Sequence, residues 1–503
     1  MKKNLFGLFV LTIGFCTKTF AQDDADVLRY SQLQSGGTAR SFSLAGATGA
    51  LGGDFSNASN NPSGLALYKS SEFTFSPAIN SSRTNASYFS TENIDRSTRF
   101  GLGNIGLVFK NNYTIKGKDV TKGWTGIAFA FGVNKLASFT NATTYSGFNR
   151  YHSIGDKYAA DLSAKGVGPT SALSSDPWGS GLAYDSYLLD ANSATDSTHY
   201  TAVSTGGKVN QTMNKIVKGA ANEMVISFAG NYNNKLMVGG TLGVPFINYM
   251  NETAYYENDD SLYHSKFKNY SSISSVKATG TGINLKIGAM YLINDVIRLG
   301  VALHTPTYYN IHDEGTITMT TERKDSANAG LKNSSTSNTI NYNITTPWRA
   351  VASAAFIFKK YGFLTIDYEF VDYTSSNIHF NSTNAADIQS ASAINKNMHQ
   401  NYTSASNLRI GAEIKLDVFA LRAGYGMYGS PFKQNAISGY DQTRNVFSLG
   451  FGIREKDYFF DMGIQKTMYK SIDIPYLLSN TTSYAATLNT TNTMVVATVG
   501  LKF

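Results

Sequence analysis

Apolar and polar residues alternate one for one along much of this chain, and most sharply at its end. In the last eleven residues, Val495, Ala497, Val499, Leu501 and Phe503 share one strand face, and Val496, Thr498, Gly500 and Lys502 the other, because strand side chains alternate with period two. The pattern recurs upstream. Ile127, Phe129, Phe131 and Val133 oppose Gly126, Ala128, Ala130 and Gly132; Ile283, Leu285, Ile287 and Tyr291 oppose Asn284, Lys286 and Gly288. Leu408 to Leu416, Phe419 to Met427, Phe447 to Ile453 and Tyr458 to Ile464 repeat it, with Gly, Ser and scattered charge on the second face. One greasy face and one mixed face, ending on a terminal aromatic, predict a transmembrane antiparallel β-barrel whose last strand closes in lipid. Val499, Leu501 and Phe503 are the expected assembly signal.

Short and long connections alternate as well. Tight turns are expected at Asn233-Asn234, Asn294-Asp295, Lys360-Tyr361, Asp417 and Glu455-Lys456-Asp457. Between them lie Ser/Thr/Asn-rich stretches near 151–219, 251–278, 311–345, 375–404, 429–442 and 470–491, read as long external loops. Counting from Glu72, with an external loop near 85–97 and a longer turn near 111–122, gives about fourteen strands. An even number places both barrel ends in the periplasm. A soluble β-sandwich also alternates, but does not combine a terminal Phe strand with this loop rhythm.

Residues 1–21 read as a secretory signal peptide: Lys2 and Lys3, an apolar core from Leu5 to Phe15, then Thr-Phe-Ala before Gln22. The only cysteine, Cys16, lies inside it, and Phe15 stands where a lipoprotein signal wants a small residue. Removing the segment takes away Lys2, Lys3 and Lys18 and lowers the formal net charge from +8 to +5. That balance, without a dense basic patch, argues against nucleic acid. A mean hydropathy of −0.20 does not conflict with a membrane barrel, which hides its lipid-facing residues at every second position.

Residues 22–70 lack alternation and are small and Gly-rich from Gly36 to Asp54, followed by Asn60-Asn61-Pro62-Ser63-Gly64-Leu65. A loose periplasmic leader would fit, but the small residues and mixed apolar content better suit a compact plug inside a lumen, where backbone approaches the wall closely. In Asn-Pro-Ser-Gly, Pro fixes φ and Gly permits positive φ, so a turn is expected.

The run Gly37-Thr38-Ala39-Arg40-Ser41-Phe42-Ser43-Leu44-Ala45-Gly46-Ala47, with Asn61-Pro62-Ser63-Gly64-Leu65, resembles the N-terminal hatch of the FadL/TodX family of outer-membrane transporters. Later segments resemble it too: Gly132 to Ala137, Gly282 to Gly288, His304-Thr305-Pro306-Thr307, Thr346-Pro347-Trp348-Arg349 and Asp367-Tyr368-Glu369. The likeness is nearest the Bacteroidetes-type branch, whose members are sometimes labelled haemin receptors. Ser63 and Ala45 depart from the family's usual Ala and Gly by small changes. The resemblance implies a signal peptide (1–21), a hatch (22–70) and a fourteen-stranded barrel (71–503) in the outer membrane of a Gram-negative cell, monomeric and folded by the barrel-assembly machinery. It further implies uptake of hydrophobic molecules, long-chain fatty acids foremost, with no cofactor. Gate residues then fall at Arg40, Phe42, Gly46, Gly49, Asn61, Pro62, Ser63 and Gly64. The family opens a lateral path at a wall kink, for which Pro245 is the candidate, since proline removes a ladder donor.

Loop aromatics Tyr255, Tyr256, Tyr263 and Phe267, with Tyr308 and Tyr309, are candidates for an outer ligand pocket, or else belong to the interfacial girdle that barrels carry anyway. Arg40, Arg409, Arg422 and Arg454 either meet a ligand carboxylate or pair with Glu413, Asp367, Glu369 and Asp461 inside the lumen. Gly101-Leu102-Gly103-Asn104-Ile105-Gly106 matches a nucleotide loop in letters only, because it runs on into a strand. The scattered histidines show no metal-ligand spacing, and no nucleophile constellation suggests an enzyme. The rival readings are a haem receptor ligating through His304 or His312, and an open general porin.

Overall fold

The computed structural model describes residues 24–503 apart from 35, 116–117, 194, 326–329, 434–441 and 479–482. The expected signal peptide and the first two hatch residues lie outside the described residues. Fourteen antiparallel wall strands close into a barrel. In chain order they are β1 (Glu72–Tyr88), β2 (Thr91–Asn112), β3 (Trp124–Ser138 and Asn141–Asn149), β4 (Val209–Tyr232), β5 (Leu236–Asn258), β6 (Phe267–Leu292) and β7 (Ile297–His304 and Tyr308–Arg323). Then follow β8 (Gly330–Thr345 and Arg349–Ile357), β9 (Gly362–Asp372), β10 (Ser404–Leu416), β11 (Phe419–Tyr428), β12 (Arg444–Arg454), β13 (Tyr458–Asp473) and β14 (Ala486–Lys502).

The alternation read from the sequence is the inside–outside alternation of the wall. Ile283, Leu285, Ile287, Leu449, Met462 and Leu501 are exposed, while Asn284, Lys286, Ser448, Asp461 and Thr498 between them are buried. A continuous exposed apolar belt of this kind is stable only against lipid. No described helix is long and apolar enough to cross a membrane, so the strands make the crossing.

Closure runs from Glu72 opposite Lys502 to Ser87 opposite Thr487. The last amide, Phe503 N–H, donates to the Ser71 carbonyl at 3.0 Å, and the Phe503 ring meets Phe109 edge-on at 6.5 Å. Deleting Phe503 removes both. The expected result is a loss of the heat-modifiable folded band in cells; an unchanged folding yield would remove Phe503 from the assembly signal.

The expected tight turns are turns, with Asn233, Asn234 and Asp417 at positive φ, a conformation Asn and Asp tolerate better than most residues. The loop bounds needed correction. The segment near 85–97 is a hairpin, β1–β2, turning at Phe89. Much of 251–278, 311–345 and 470–491 is strand, since β5 reaches Asn258, β7 reaches Arg323 and β13 reaches Asp473. Ser/Thr/Asn-rich stretches have no greasy face to betray a strand, yet their backbone ladders continue past the lipid. Five unforeseen features cap that end: α3 (Ile154–Lys165), α4 (Pro169–Ser175), α5 (Ser180–Asp185), a hairpin of Leu189–Ala191 with Tyr200–Ala202, and a helix Ala385–Asn401 packed on the short strand Asn377–Phe380. A capping box at Ser153 and Asp156 starts α3, and Leu162, Leu182, Tyr145, Tyr255 and Phe267 share its apolar cluster.

Two adjacent strands break at the same height, at Thr305-Pro306-Thr307 in β7 and Thr346-Pro347-Trp348 in β8. The register between β6 and β7 slips by one residue across the break, from Lys286 opposite His304 to Ile283 opposite Tyr308. Buried positions switch from even (Ala302, His304) to odd (Tyr309, Ile311, Asp313), as a single inserted residue requires.

Candidate functional site

The N-terminal segment is built from capped turns rather than strands. It begins with helix α1 (Asp24–Ser31) and helix α2 (Ala39–Ser43) and continues with 3-10 turns Phe55–Ala58 and Pro62–Leu67. Thr38, Asp54 and Asn61 each stand at an N-cap and accept a backbone N–H, the residue types that satisfy orphan donors there. The Asn61 amide also donates to the Gly49 carbonyl at 2.7 Å, and its oxygen accepts from the Ser63 hydroxyl at 2.7 Å. Asn-Pro-Ser-Gly therefore staples the two halves of the segment together. Gly46, Gly52 and Gly53 take positive φ, and so does Ala45, at 53°.

The wall receives this segment on nearly every side. Ala39 N–H donates to Thr498 Oγ1 at 2.7 Å, Ser448 Oγ to the Ser43 carbonyl at 3.0 Å, and Arg298 to the Leu51 carbonyl at 2.8 Å. Ser59 Oγ donates to Glu223 Oε2 at 2.8 Å, and His304 Nε2 bonds the Asn60 carbonyl at 2.7 Å. Asp367, fully buried, accepts from the amides of Thr48 at 3.1 Å and Gly49 at 3.0 Å. Wall glycines permit the approach. A Cβ on Gly424 would lie 2.5 Å from the Leu44 carbonyl carbon, and one on Gly288 only 2.0 Å from Asn61 Oδ1.

The four arginines singled out from the sequence pair with carboxylates. Arg422 reaches Glu413 and Asp461 at 2.6 Å each, Arg454 reaches Asp461 at 2.6 Å, and Arg40 lies 3.7 Å from Glu413. Arg409 lies 3.4 Å from Glu369 and 3.8 Å from Asp367. Arg409 and Arg422 are buried and Arg40 and Arg454 half-buried, and each has a carboxylate partner within the wall or across to the segment, as burial demands.

The wall's main irregularity lies in β3. Its lower part pairs with β2 from Asn104–Asn134 to Asn112–Gly126. Beyond Asn134, β3 keeps its ladder to β4 only, with a bulge between Lys135 and Ala137, and β2 from Thr91 to Gly103 keeps its ladder to β1 only. Gln34 of the N-terminal segment takes over part of the freed edge: its N–H donates to the Leu136 carbonyl at 2.8 Å, and its side chain accepts from Ser138 N–H at 3.1 Å. Side chains bridge the seam, with Asn80 donating to Ser138 Oγ at 2.7 Å and Ser82 and Thr84 donating to Asn141 Oδ1.

At this kink lies a cavity of about 340 Å³, lined by Ala137 to Asn141 of β3, Val217 and Tyr249 of the neighbouring strands, Arg29, Gln32 and Gln34 of the segment, and Lys215 and Arg444. A second space of about 420 Å³ shares Arg29, Gln32 and Gln442 with it and adds Leu28, Tyr402, Phe432 and Ile472. Arg29 pairs with Asp26 and sits 4.3 Å from the Tyr249 ring centroid. The site thus combines aromatic and aliphatic walls with cationic groups, beside an unpaired stretch of wall and above the segment that fills the lumen.

The sequence candidates distribute as follows. Arg40, Phe42, Gly46, Gly49, Asn61, Pro62, Ser63 and Gly64 all lie in the lumen-filling segment. Pro245 does not kink the wall: it sits opposite Glu223 in an unbroken β4–β5 register, and the β5–β6 ladder resumes in register on either side of it. The six aromatics do not share one pocket. Tyr255 and Phe267 are buried under the outer cap, Tyr256 is half-buried on the opposite strand face from Tyr255, Tyr309 faces the lumen, and Tyr263 and Tyr308 are exposed; adjacent strand residues such as Tyr308 and Tyr309 necessarily face opposite ways. His304 is buried against Asn60, whereas His312 bonds Asn341 on the far side of the parity switch. Arg29, Gln34, Phe139 and Tyr249 went unread. Their one sequence signal is the lapse of alternation at Leu136-Ala137, both buried.

No family model and no curated protein matches the chain. Solved structures do share its fold. A Pseudomonas aeruginosa FadL homologue superposes with TM-score 0.54 at 10% identity, over 94% of this chain and 100% of its own. The P. putida toluene transporter TodX gives 0.54 at 13%, covering 93% and 99%, and the Ralstonia pickettii toluene transporter TbuX gives 0.50 at 14%, also covering 93% and 99%. The fold is therefore that of FadL- and TodX-type barrels.

Proposed function

We propose that this chain is an outer-membrane channel for hydrophobic and amphiphilic small molecules, long-chain fatty acids foremost. A solute enters the cavity at the β3 kink and passes inward when the N-terminal hatch rearranges. The observation that carries this reading is a coincidence: the lapse in wall pairing, the cavity and the inner segment meet at the same residues, Gln34 and Ala137 to Asn141. An amphiphile suits the lining, with its chain on Phe139, Val217 and Tyr249 and an anionic end toward Arg444. Solved neighbours named as toluene transporters are consistent with hydrophobic cargo, and their fold with residence in the outer membrane. The gate role belongs to Arg40, Phe42 and the Asn61-Pro62-Ser63-Gly64 staple. Residues 1–21 act as the export signal, and Val499, Leu501 and Phe503 as the assembly signal of a monomeric barrel.

Mass spectrometry of small molecules co-extracted with the folded barrel in mild detergent tests the reading. A hydrophobic or amphiphilic compound is expected, reduced about thirtyfold in Phe139→Ala/Tyr249→Ala, since each lost ring removes on the order of 1 kcal/mol of apolar contact. Nothing above a control barrel, or equal retention by the variant, would defeat it.

A further inference from the structure

Eight cationic side chains and only two carboxylates line a cavity of about 490 Å³ at the tight-turn end of the barrel, on the opposite side of the hatch from the β3 kink. The inner segment, the start of β7, the turn after β8, the end of β10, the turn after β12 and both barrel termini contribute to it, so the excess is assembled from separate pieces of chain. The internal pairing does not absorb it. Glu413 is already shared by Arg40, Lys415 and Arg422, and Asp461 by Arg422 and Arg454. Glu72, the other carboxylate on the lining, accepts the Tyr68 hydroxyl. Arg298 lies half-buried and meets the Leu51 carbonyl at 2.8 Å, with no ion pair among the described residues. Arg40 Nε is buried without a hydrogen-bond partner.

Uncompensated charge at a partly desolvated site is costly unless a counter-charge arrives, and a cleft lined by one sign concentrates the opposite ion. The same cavity has an apolar wall of Leu51, Leu67, Ile357 and Phe363. A free inorganic ion has no use for that wall, whereas an amphiphile has. We infer that this vestibule seats one oxyanion head group, a carboxylate or phosphate, carried on an apolar chain. Lys359 and Lys456 stand at its rim and Arg298 deeper in. The inference rests on the uptake reading only for the origin of the anion: cargo crossing the hatch would reach this mouth head-first and be held there by its charge.

Photolabelling of the full-length barrel in neutral detergent with a diazirine-bearing decanoate tests this, with the matching decanol as the uncharged control. Decanoate is expected to label peptides containing residues 51–53, 67–70 and 357–363, and decanol to spare them. Labelling there should fall about tenfold in Arg298→Gln/Lys359→Gln, through loss of two charge-assisted contacts. Lys359→Gln/Lys456→Gln, on exposed turns, serves if the Arg298 variant fails to fold. Displacement by unlabelled decanoate but not by inorganic phosphate supports an amphiphile as the occupant; displacement by phosphate as well supports the oxyanion seat and assigns it to free anion. Equal labelling by decanol, displacement by neither, or unchanged labelling in the folded variants overturns the inference. Labelling only of the kink peptide around 136–141 overturns it too while leaving the uptake reading intact, and labelling only at the tight-turn end does the reverse.

Discussion

Removing residues 24–70 is expected to turn an electrically quiet barrel into a steadily conducting one. The wall does not depend on that segment for closure, because β1 begins at Glu72 and pairs with β14 along nearly its whole length. What the segment supplies is filling. Eight-stranded barrels are packed shut by their own side chains, and barrels of sixteen or so leave an aqueous channel; fourteen strands lie near the open end of that range. Here the space is taken by Phe42, Leu44, Phe55 and Leu65, all buried, and by the backbone turns that bond the wall. Without them, Asp367, Glu223, Arg298 and Thr498 would face water, which satisfies them at little cost. Planar-bilayer recording of the purified variant, with heat-modifiability showing a folded wall, is the measurement. Steady ohmic steps in the variant and near-silence in the intact chain are expected. Silence in both would mean that the outer cap of α3 to α5 closes the pore, and the segment would lose its role as hatch.

How much of this was legible beforehand follows from which physical demand acts on each residue. Lipid on one side of a strand forces every second residue to be apolar, so seven of the fourteen wall strands between Ile127 and Phe503, β3, β6 and β10 to β14, could be read directly. A turn in the lumen segment was legible at Asn61-Pro62-Ser63-Gly64, whose backbone preferences are local, while its reading as a hatch came from the family resemblance. The kink was not. Proline seemed to mark it at Pro245, but a missing donor in one ladder costs little when the register holds on both sides. The true break, at Leu136-Ala137, comes from a bulge that Gln34 repairs from a distant part of the chain. Only tertiary structure shows that repair. The parity switch at Pro306 and Pro347 was equally hidden, because alternation read on one side of a break predicts the wrong faces on the other. The ligand aromatics failed for a related reason: proximity in sequence, as between Tyr308 and Tyr309, means opposite faces in a strand.

Asp367→Ala is expected to unlatch the hatch while leaving the wall folded. Asp367 projects inward from β9, fully buried, and takes the amides of Thr48 and Gly49 together with the Asn60 side chain at 3.4 Å. It also stands 3.8 Å from Arg409. Alanine would orphan two buried backbone donors and leave Arg409 with Glu369 alone. Each buried backbone donor left without an acceptor costs roughly 1–3 kcal/mol, and that cost falls on the contact between wall and segment, whereas the lost Arg409 pairing lies within the wall between β9 and β10. Asparagine keeps an acceptor and loses the charge, so Asp367→Asn should fall between alanine and wild type. Limited proteolysis separates the two structures: cleavage between Leu44 and Gly53 should appear early in Asp367→Ala, later in Asp367→Asn and last in the intact chain, with the wall resistant throughout. A segment as protected in Asp367→Ala as in the wild type would show that the other wall bonds, from Thr498, Ser448 and Glu223, hold it without this carboxylate. The latch would then be distributed around the lumen, and no single substitution at β9 could gate the channel.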